Sequence, residues 1–168
     1  MKLLEKKEIK TGTTIVGIVA KDAIVLAADM RTTAGYQIHG NESDKVFVIN
    51  DSLALAWAGS VAANQMLIKH LRSELKLLEL RTHRMPTIVE SVNMLRNWVY
   101  GLIRRPSPMQ DICAFLLGGV DQYGYHLFEL GPDGTLMKKK NFVADGSGSV
   151  FAVGVLETQY KENMTEAE

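Results

Sequence analysis

The chain of 168 residues carries one cysteine, Cys113, so an intrachain disulfide is excluded. Its place in the apolar run Ile112-Cys113-Ala114-Phe115-Leu116-Leu117 predicts a buried, inert thiol. Neither sign of charge is in excess: 19 Lys and Arg face 19 Asp and Glu, for a formal net charge of +0. That balance removes the electrostatic argument for nucleic acid or an anionic membrane as partner. The single basic run, Lys138-Lys139-Lys140, reads as a solvated strand edge. No apolar stretch approaches the ~20 residues of a membrane-spanning helix. Residues 1–12 are charged and lack the apolar centre of a secretory signal, so the cytoplasm is the expected compartment. The histidines His39, His70, His83 and His126 show no metal-ligand spacing, and no metal or other cofactor is expected.

What is present is an ordinary globular composition, 46% hydrophobic and 23% charged, with length for one domain and a sizeable core. Residues 13–20 and 23–28 read as strands joined through Lys21-Asp22, and 46–49 and 53–58 as a second pair turning at Asn50-Asp51-Ser52. The runs ending at Ala28 and Ala58 are nearly all apolar, which predicts cover on both faces. Leu67, Leu71, Leu75 and Leu78 then recur on one face of a helix. Thr87-Ile88-Val89-Glu90 has the pattern of a capping box that opens a second helix, with Val92, Leu95, Val99 and Leu102 as its stripe and Pro106 and Pro108 as its stop. Strands return over 112–120, 125–130 and 136–144. After Gly146-Ser147-Gly148-Ser149 a further helix is predicted, with Val150, Val153 and Leu156 on one side. Grouped rather than alternating elements imply an α+β fold in which helices cover packed antiparallel sheets. Thr165-Glu166-Ala167-Glu168 repeats the capping-box pattern, so the natural chain is expected to continue.

The chemistry begins at Gly12-Thr13. A cut at that bond gives Thr13 a free α-amine beside its hydroxyl, a nucleophile with a built-in base. An α-amine titrates near pH ~8, so part of it is neutral and can accept the hydroxyl proton, work of the kind that supplies about 10²–10⁴-fold. A nearby ammonium would favour the alkoxide-like form, and that ammonium needs a carboxylate to hold it. Asp29 closes the second strand run and Lys45 opens the third, so both converge on Thr13 if those strands lie beside the first. Gly59 ends a buried strand run and offers an N–H for a developing oxyanion. Singly, these features read as a strand start, a surface ion pair and a flexible turn.

Together they identify a resemblance. The strings Thr11-Gly12-Thr13-Thr14-Ile15-Val16-Gly17-Ile18, Leu26-Ala27-Ala28-Asp29-Met30-Arg31, Asp44-Lys45-Val46-Phe47, Trp57-Ala58-Gly59-Ser60, Leu117-Gly118-Gly119-Val120-Asp121 and Asp145-Gly146-Ser147-Gly148-Ser149 resemble a proteasome β-subunit of the archaeal type. So does Gly154-Val155-Leu156-Glu157, and the likeness runs from about Thr11 to Glu168. It implies the four-layer α-β-β-α sandwich of N-terminal nucleophile hydrolases, here without its C-terminal helix and strands. It implies a propeptide over 1–12, cut at Gly12-Thr13, and a hydrolase domain over 13–168. Thr13 carries over as nucleophile, Asp29 and Lys45 as its charge partners, Gly59 as oxyanion donor and Ser147 as the hydroxyl beside the threonine amine. Thr33, Gly59 and Val61 would pair with an extended substrate backbone. Thr32, Ser43, Phe47, Trp57, Val61 and Gln65 fall where the family builds its first specificity pocket. Implied partners are other β-subunits in a ring, an α-subunit ring, polypeptide substrates and a regulatory ATPase reached through the α-ring.

Two departures qualify the resemblance. Trp57 stands where the family usually carries a smaller or unbranched side chain, which implies a shortened pocket and a preference for small residues, or feeble activity. The family's supporting Asp and Ser beyond the last helix have no position here to map onto. The expected function is therefore a threonine-type endopeptidase subunit, silent while its leader is attached, with a non-catalytic ring subunit as the rival.

Overall fold

The stripe Leu67, Leu71, Leu75 does form one buried face of a helix, and the molecule is layered around it. The computed structural model describes residues 12–34, 37–40, 43–108 and 110–168; the leader, Gly12 apart, lies outside them. Among the described residues the order is β1 (Thr14–Val19), β2 (Ile24–Ala28), β3 (Thr32–Ala34), β4 (Gln37–Gly40), β5 (Val46–Asn50) and β6 (Leu53–Gly59). Helices α1 (Val61–Thr82) and α2 (Ile88–Ile103) follow, then β7 (Cys113–Asp121), β8 (Gly124–Leu130), β9 (Leu136–Lys139), β10 (Phe142–Gly146) and α3 (Ser149–Gln159). The architecture is α+β. A five-stranded antiparallel sheet runs β5-β6-β7-β8-β9, a three-stranded one β10-β1-β2, and β3-β4 form a separate hairpin.

Alternation along β6 sorts the core into two layers. Leu53, Leu55 and Trp57 join Phe115 and Leu117 of β7 against Leu67, Leu71 and Leu75 of α1 and Val92, Leu95 and Val99 of α2. The opposite face, Ala56, Ala58, Leu116 and Leu127, packs between the sheets against Ile15 and Val143. Small residues there matter: a Cβ on Gly118 would stand 2.6 Å from Ile24, so glycine lets the sheets approach. α3 lies on β10 and β1, which completes the order helices, sheet, sheet, helix.

The α2 cap forms as its sequence predicts. Thr87 Oγ1 accepts from Glu90 N at 3.2 Å and Glu90 Oε2 accepts from Thr87 N at 2.8 Å. Arg84 adds a two-pronged ion pair to Glu90, at 2.8 and 2.6 Å. This pair, with the Thr87 bonds, pulls the Glu90 carboxyl down to about 2. Cys113 is buried as expected, and burial pushes its thiol up to about 12.

Three expectations are corrected. Residues 136–144 are two strands, because the chain leaves one sheet after Lys139 and enters the other at Phe142. β2 is an edge strand with half-buried and exposed positions, not covered on both faces. On α3, Val150 points outward at 78% exposure with Phe151 and Val155, while Val153 and Leu156 are half-buried. Apolar residues lie all round this helix, so periodicity could not select its inner face.

Candidate active site

Strand register assembles the site at one end of the sandwich. β1 pairs with β2 so that Ile15 faces Ala28, and with β10 so that Thr14 faces Gly146. One step beyond each pair, Thr13, Asp29 and Ser147 come together at the strand ends. Thr14 N donates to Asp29 Oδ1 at 2.7 Å and Asp29 N to the Thr14 carbonyl at 3.0 Å. Thr13 N donates to Ser147 Oγ at 3.2 Å, and Ser147 Oγ returns a longer bond of 3.4 Å to the Thr13 carbonyl. Gly146 makes this closeness possible: its φ is +92°, and a Cβ there would lie 2.2 Å from the Thr13 carbonyl oxygen.

Lys45 arrives from elsewhere than expected. It precedes β5, which belongs to the sheet facing β1 rather than to the sheet containing it. Its side chain therefore crosses between layers to reach Thr13. Lys45 Nζ donates to Thr13 Oγ1 at 3.2 Å, Asp29 Oδ1 at 2.9 Å and the Arg31 carbonyl at 2.5 Å. The Gly12 carbonyl is a fourth, weaker acceptor at 3.5 Å. Thr13 and Lys45 are both buried, at 7% and 3% exposure, so the ammonium depends on these oxygens in place of water. Burial works to raise the Asp29 carboxyl, but the Thr14 N–H, the Lys45 ammonium and the Arg31 N–H outweigh it and hold it below its ordinary value.

Gly59 closes β6 with φ +107°, and a Cβ there would lie 2.0 Å from the Ile112 carbonyl oxygen. The ladder alternates: Trp57 N donates to the Lys45 carbonyl at 3.1 Å and Ser60 N to the Ile112 carbonyl at 2.8 Å. Gly59 thus follows Trp57, and its N–H is turned to the Lys45 side of β6, away from β7. The expected pocket residues divide. Phe47 and Trp57 face the helix-side core, with Trp57 4% exposed. Val61 and Gln65 are exposed at the start of α1, and Ser43 N donates to the Met30 carbonyl at 3.0 Å. Thr32 and Thr33 open β3; their side chains lie outside the described residues.

Sequence reasoning missed Arg31, whose carbonyl takes Lys45 and whose N–H bonds Asp29 Oδ2 at 3.0 Å. Both contacts are backbone, so residue type carried no signal. A cleft of about 850 Å³ at the start of α2, lined by Arg84, Met85, Glu90, Asp121 and Tyr123, is separate from the Thr13 cluster. Among the described residues no group of His, Cys, Asp and Glu is arranged to hold a metal ion. The cluster offers a buried hydroxyl, an ammonium on it and a carboxylate on the ammonium, which suits nucleophilic attack with charge held nearby.

Comparison with known proteins gives the family. The profile of the proteasome subunit family matches residues 9–168. Proteasome subunit beta 2 of Pyrobaculum arsenaticum is 38% identical over 159 residues, 95% of this chain and 76% of that protein. Proteasome subunit beta of Methanococcus maripaludis is 38% identical over 160 residues, 95% of this chain and 71% of that protein. Proteasome subunit beta of Methanocella paludicola is 37% identical over 165 residues, 96% of this chain and 76% of that protein.

Proposed function

We propose that this chain, which belongs to the proteasome subunit family and to its β-type members, is a threonine-type endopeptidase subunit made as a silent precursor. The observation that carries the reading is Lys45 Nζ, bonded at once to Thr13 Oγ1 and to Asp29. In the precursor the Thr13 nitrogen is an amide and cannot act as a base. Thr13 Oγ attacks the Gly12 carbonyl carbon, the Gly12–Thr13 C–N bond breaks, and the nitrogen gains the proton. Water then hydrolyses the resulting ester and releases residues 1–12 with a Gly12 carboxylate.

The freed amine, held by Ser147, becomes the base for substrate. Thr13 Oγ attacks a peptide carbonyl, its proton passes through the amine to the leaving nitrogen, and Gly59 N–H supports the oxyanion. Water completes the cycle by hydrolysing the acyl ester. The substrates are unfolded polypeptides, delivered in the cytoplasm to a ring of β-subunits stacked on an α-subunit ring, with a regulatory ATPase acting through that ring. Fluorogenic peptide turnover by assembled particles tests this. Turnover is expected in wild type and absent in Thr13→Ala; turnover that persists in Thr13→Ala contradicts it. A non-catalytic ring subunit is the second reading, favoured by Trp57, whose indole is packed into the helix-side core at a pocket position.

A further inference from the structure

Asn64 is fully buried in the first turns of α1, yet only half of its amide is used. Nδ2 donates to the Ala58 carbonyl at 3.3 Å, while Oδ1 meets no hydrogen-bond donor among the described residues. The opposite orientation would set Oδ1 against the Ala58 oxygen, so the network assigns Nδ2 to that contact. An apolar side chain would fill the same space without a donor; what the amide adds is its bond to Ala58.

The Ala58 carbonyl belongs to the same peptide unit as the Gly59 N–H. No peptide bond among the described residues is cis, so the two groups point in opposite directions across one plane. The carbonyl is turned to β7 by the ladder, where Ala58 lies opposite Ala114, and Asn64 adds a side-chain donor to it; what fixes the carbonyl fixes the N–H. A donor on the carbonyl also polarises the unit and strengthens the N–H as a donor at its other end. Asn64 N donates to the Ser60 carbonyl at 3.0 Å, so the same residue ties α1 to the turn immediately after Gly59. On the far side the Ile112 carbonyl, which accepts from Ser60 N at 2.8 Å, leaves no room for a Cβ on Gly59.

We infer that Asn64 is a positioning residue for the oxyanion donor: through the Ala58–Gly59 peptide it aims and polarises the Gly59 N–H toward the oxygen of the tetrahedral intermediate. The inference rests on the endopeptidase reading and adds to it a residue outside the Thr13 cluster.

The test uses assembled particles with wild type, Asn64→Leu and the smaller Asn64→Ala. Peptide turnover is compared with binding of a peptide aldehyde and of the corresponding alcohol. The aldehyde carbon takes Thr13 Oγ to form a hemiacetal, whose oxygen lies where Gly59 acts; the alcohol forms no such bond. In both variants kcat is expected to fall about tenfold with KM unchanged, and aldehyde affinity to fall by the same factor with alcohol affinity unmoved. Unaltered kcat and aldehyde affinity overturn the inference. So does equal weakening of aldehyde and alcohol, or loss of assembly in both variants, either of which marks a folding role. Wild-type particles that neither turn over peptide nor take up aldehyde at Thr13 overturn the endopeptidase reading as well, a result distinct from the others.

Discussion

Lys45 carries the buried charge at the centre of the cluster. A buried ammonium with several oxygen partners is stable only as a set, and removing one partner leaves charge without compensation. Asp29→Asn is expected to lower stability by about 1–3 kcal/mol and to abolish turnover. The pH dependence follows in sign. Folded Asp29 titrates below its ordinary value of 3.8, so its stabilisation is complete above that value and fades as pH falls through the lowered one. Thermal melting should show wild type well above Asp29→Asn at neutral pH, with the gap closing in strong acid; a constant gap contradicts the pairing. Trp57 makes a second residue-scale expectation. With the indole at that position, peptides bearing a small residue before the scissile bond should be cut best, and best turnover with a large aromatic there contradicts it. The places of Thr13, Asp29 and Lys45 at the edges of strand runs were legible, whereas Ser147 followed only from the family resemblance and the sheet that brings Lys45 was not foreseen. Arg31 was not, since only its backbone acts, and Asn64 carried no motif; its role depends on which carbonyl its amide meets.

At the scale of elements, local chemistry was legible wherever one rule decided it. The α2 cap needs only Thr87 and Glu90 at the right spacing, and both of its bonds form. Thr87→Ala should cost about 1 kcal/mol in denaturant unfolding. Glu90 extends the same device through Arg84. Its carboxyl falls from 4.5 to about 2, so the stabilisation is present above 4.5 and is lost as pH approaches 2. Glu90→Gln should remove that acid dependence; an unchanged profile would place the effect elsewhere. Elements whose fate depends on other elements were not legible. Residues 136–144 read as one strand because nothing local marks the step from one sheet to the other. The outward turn of Val150 on α3 likewise follows from how that helix sits on β10 and β1, not from propensity.

For the whole molecule, two facing sheets do what neither does alone. The three-stranded sheet presents Thr13, Asp29 and Ser147 at its end, and the five-stranded sheet supplies Lys45 and Gly59. The site is therefore a product of sandwich assembly. The grouping of strands and helices pointed to the layered class, but not to which sheet Lys45 occupies. In the proposed function the leader acts at this scale too. While the Gly12–Thr13 bond is intact, Thr13 has a hydroxyl and no amine. The most direct measurement is the intact mass of the chain after co-assembly with an α-subunit. Wild type should lose residues 1–12 and begin at Thr13, while Thr13→Ala retains them. A leader that stays on wild-type chains in assembled particles, or that leaves Thr13→Ala equally well, would contradict self-cleavage by Thr13.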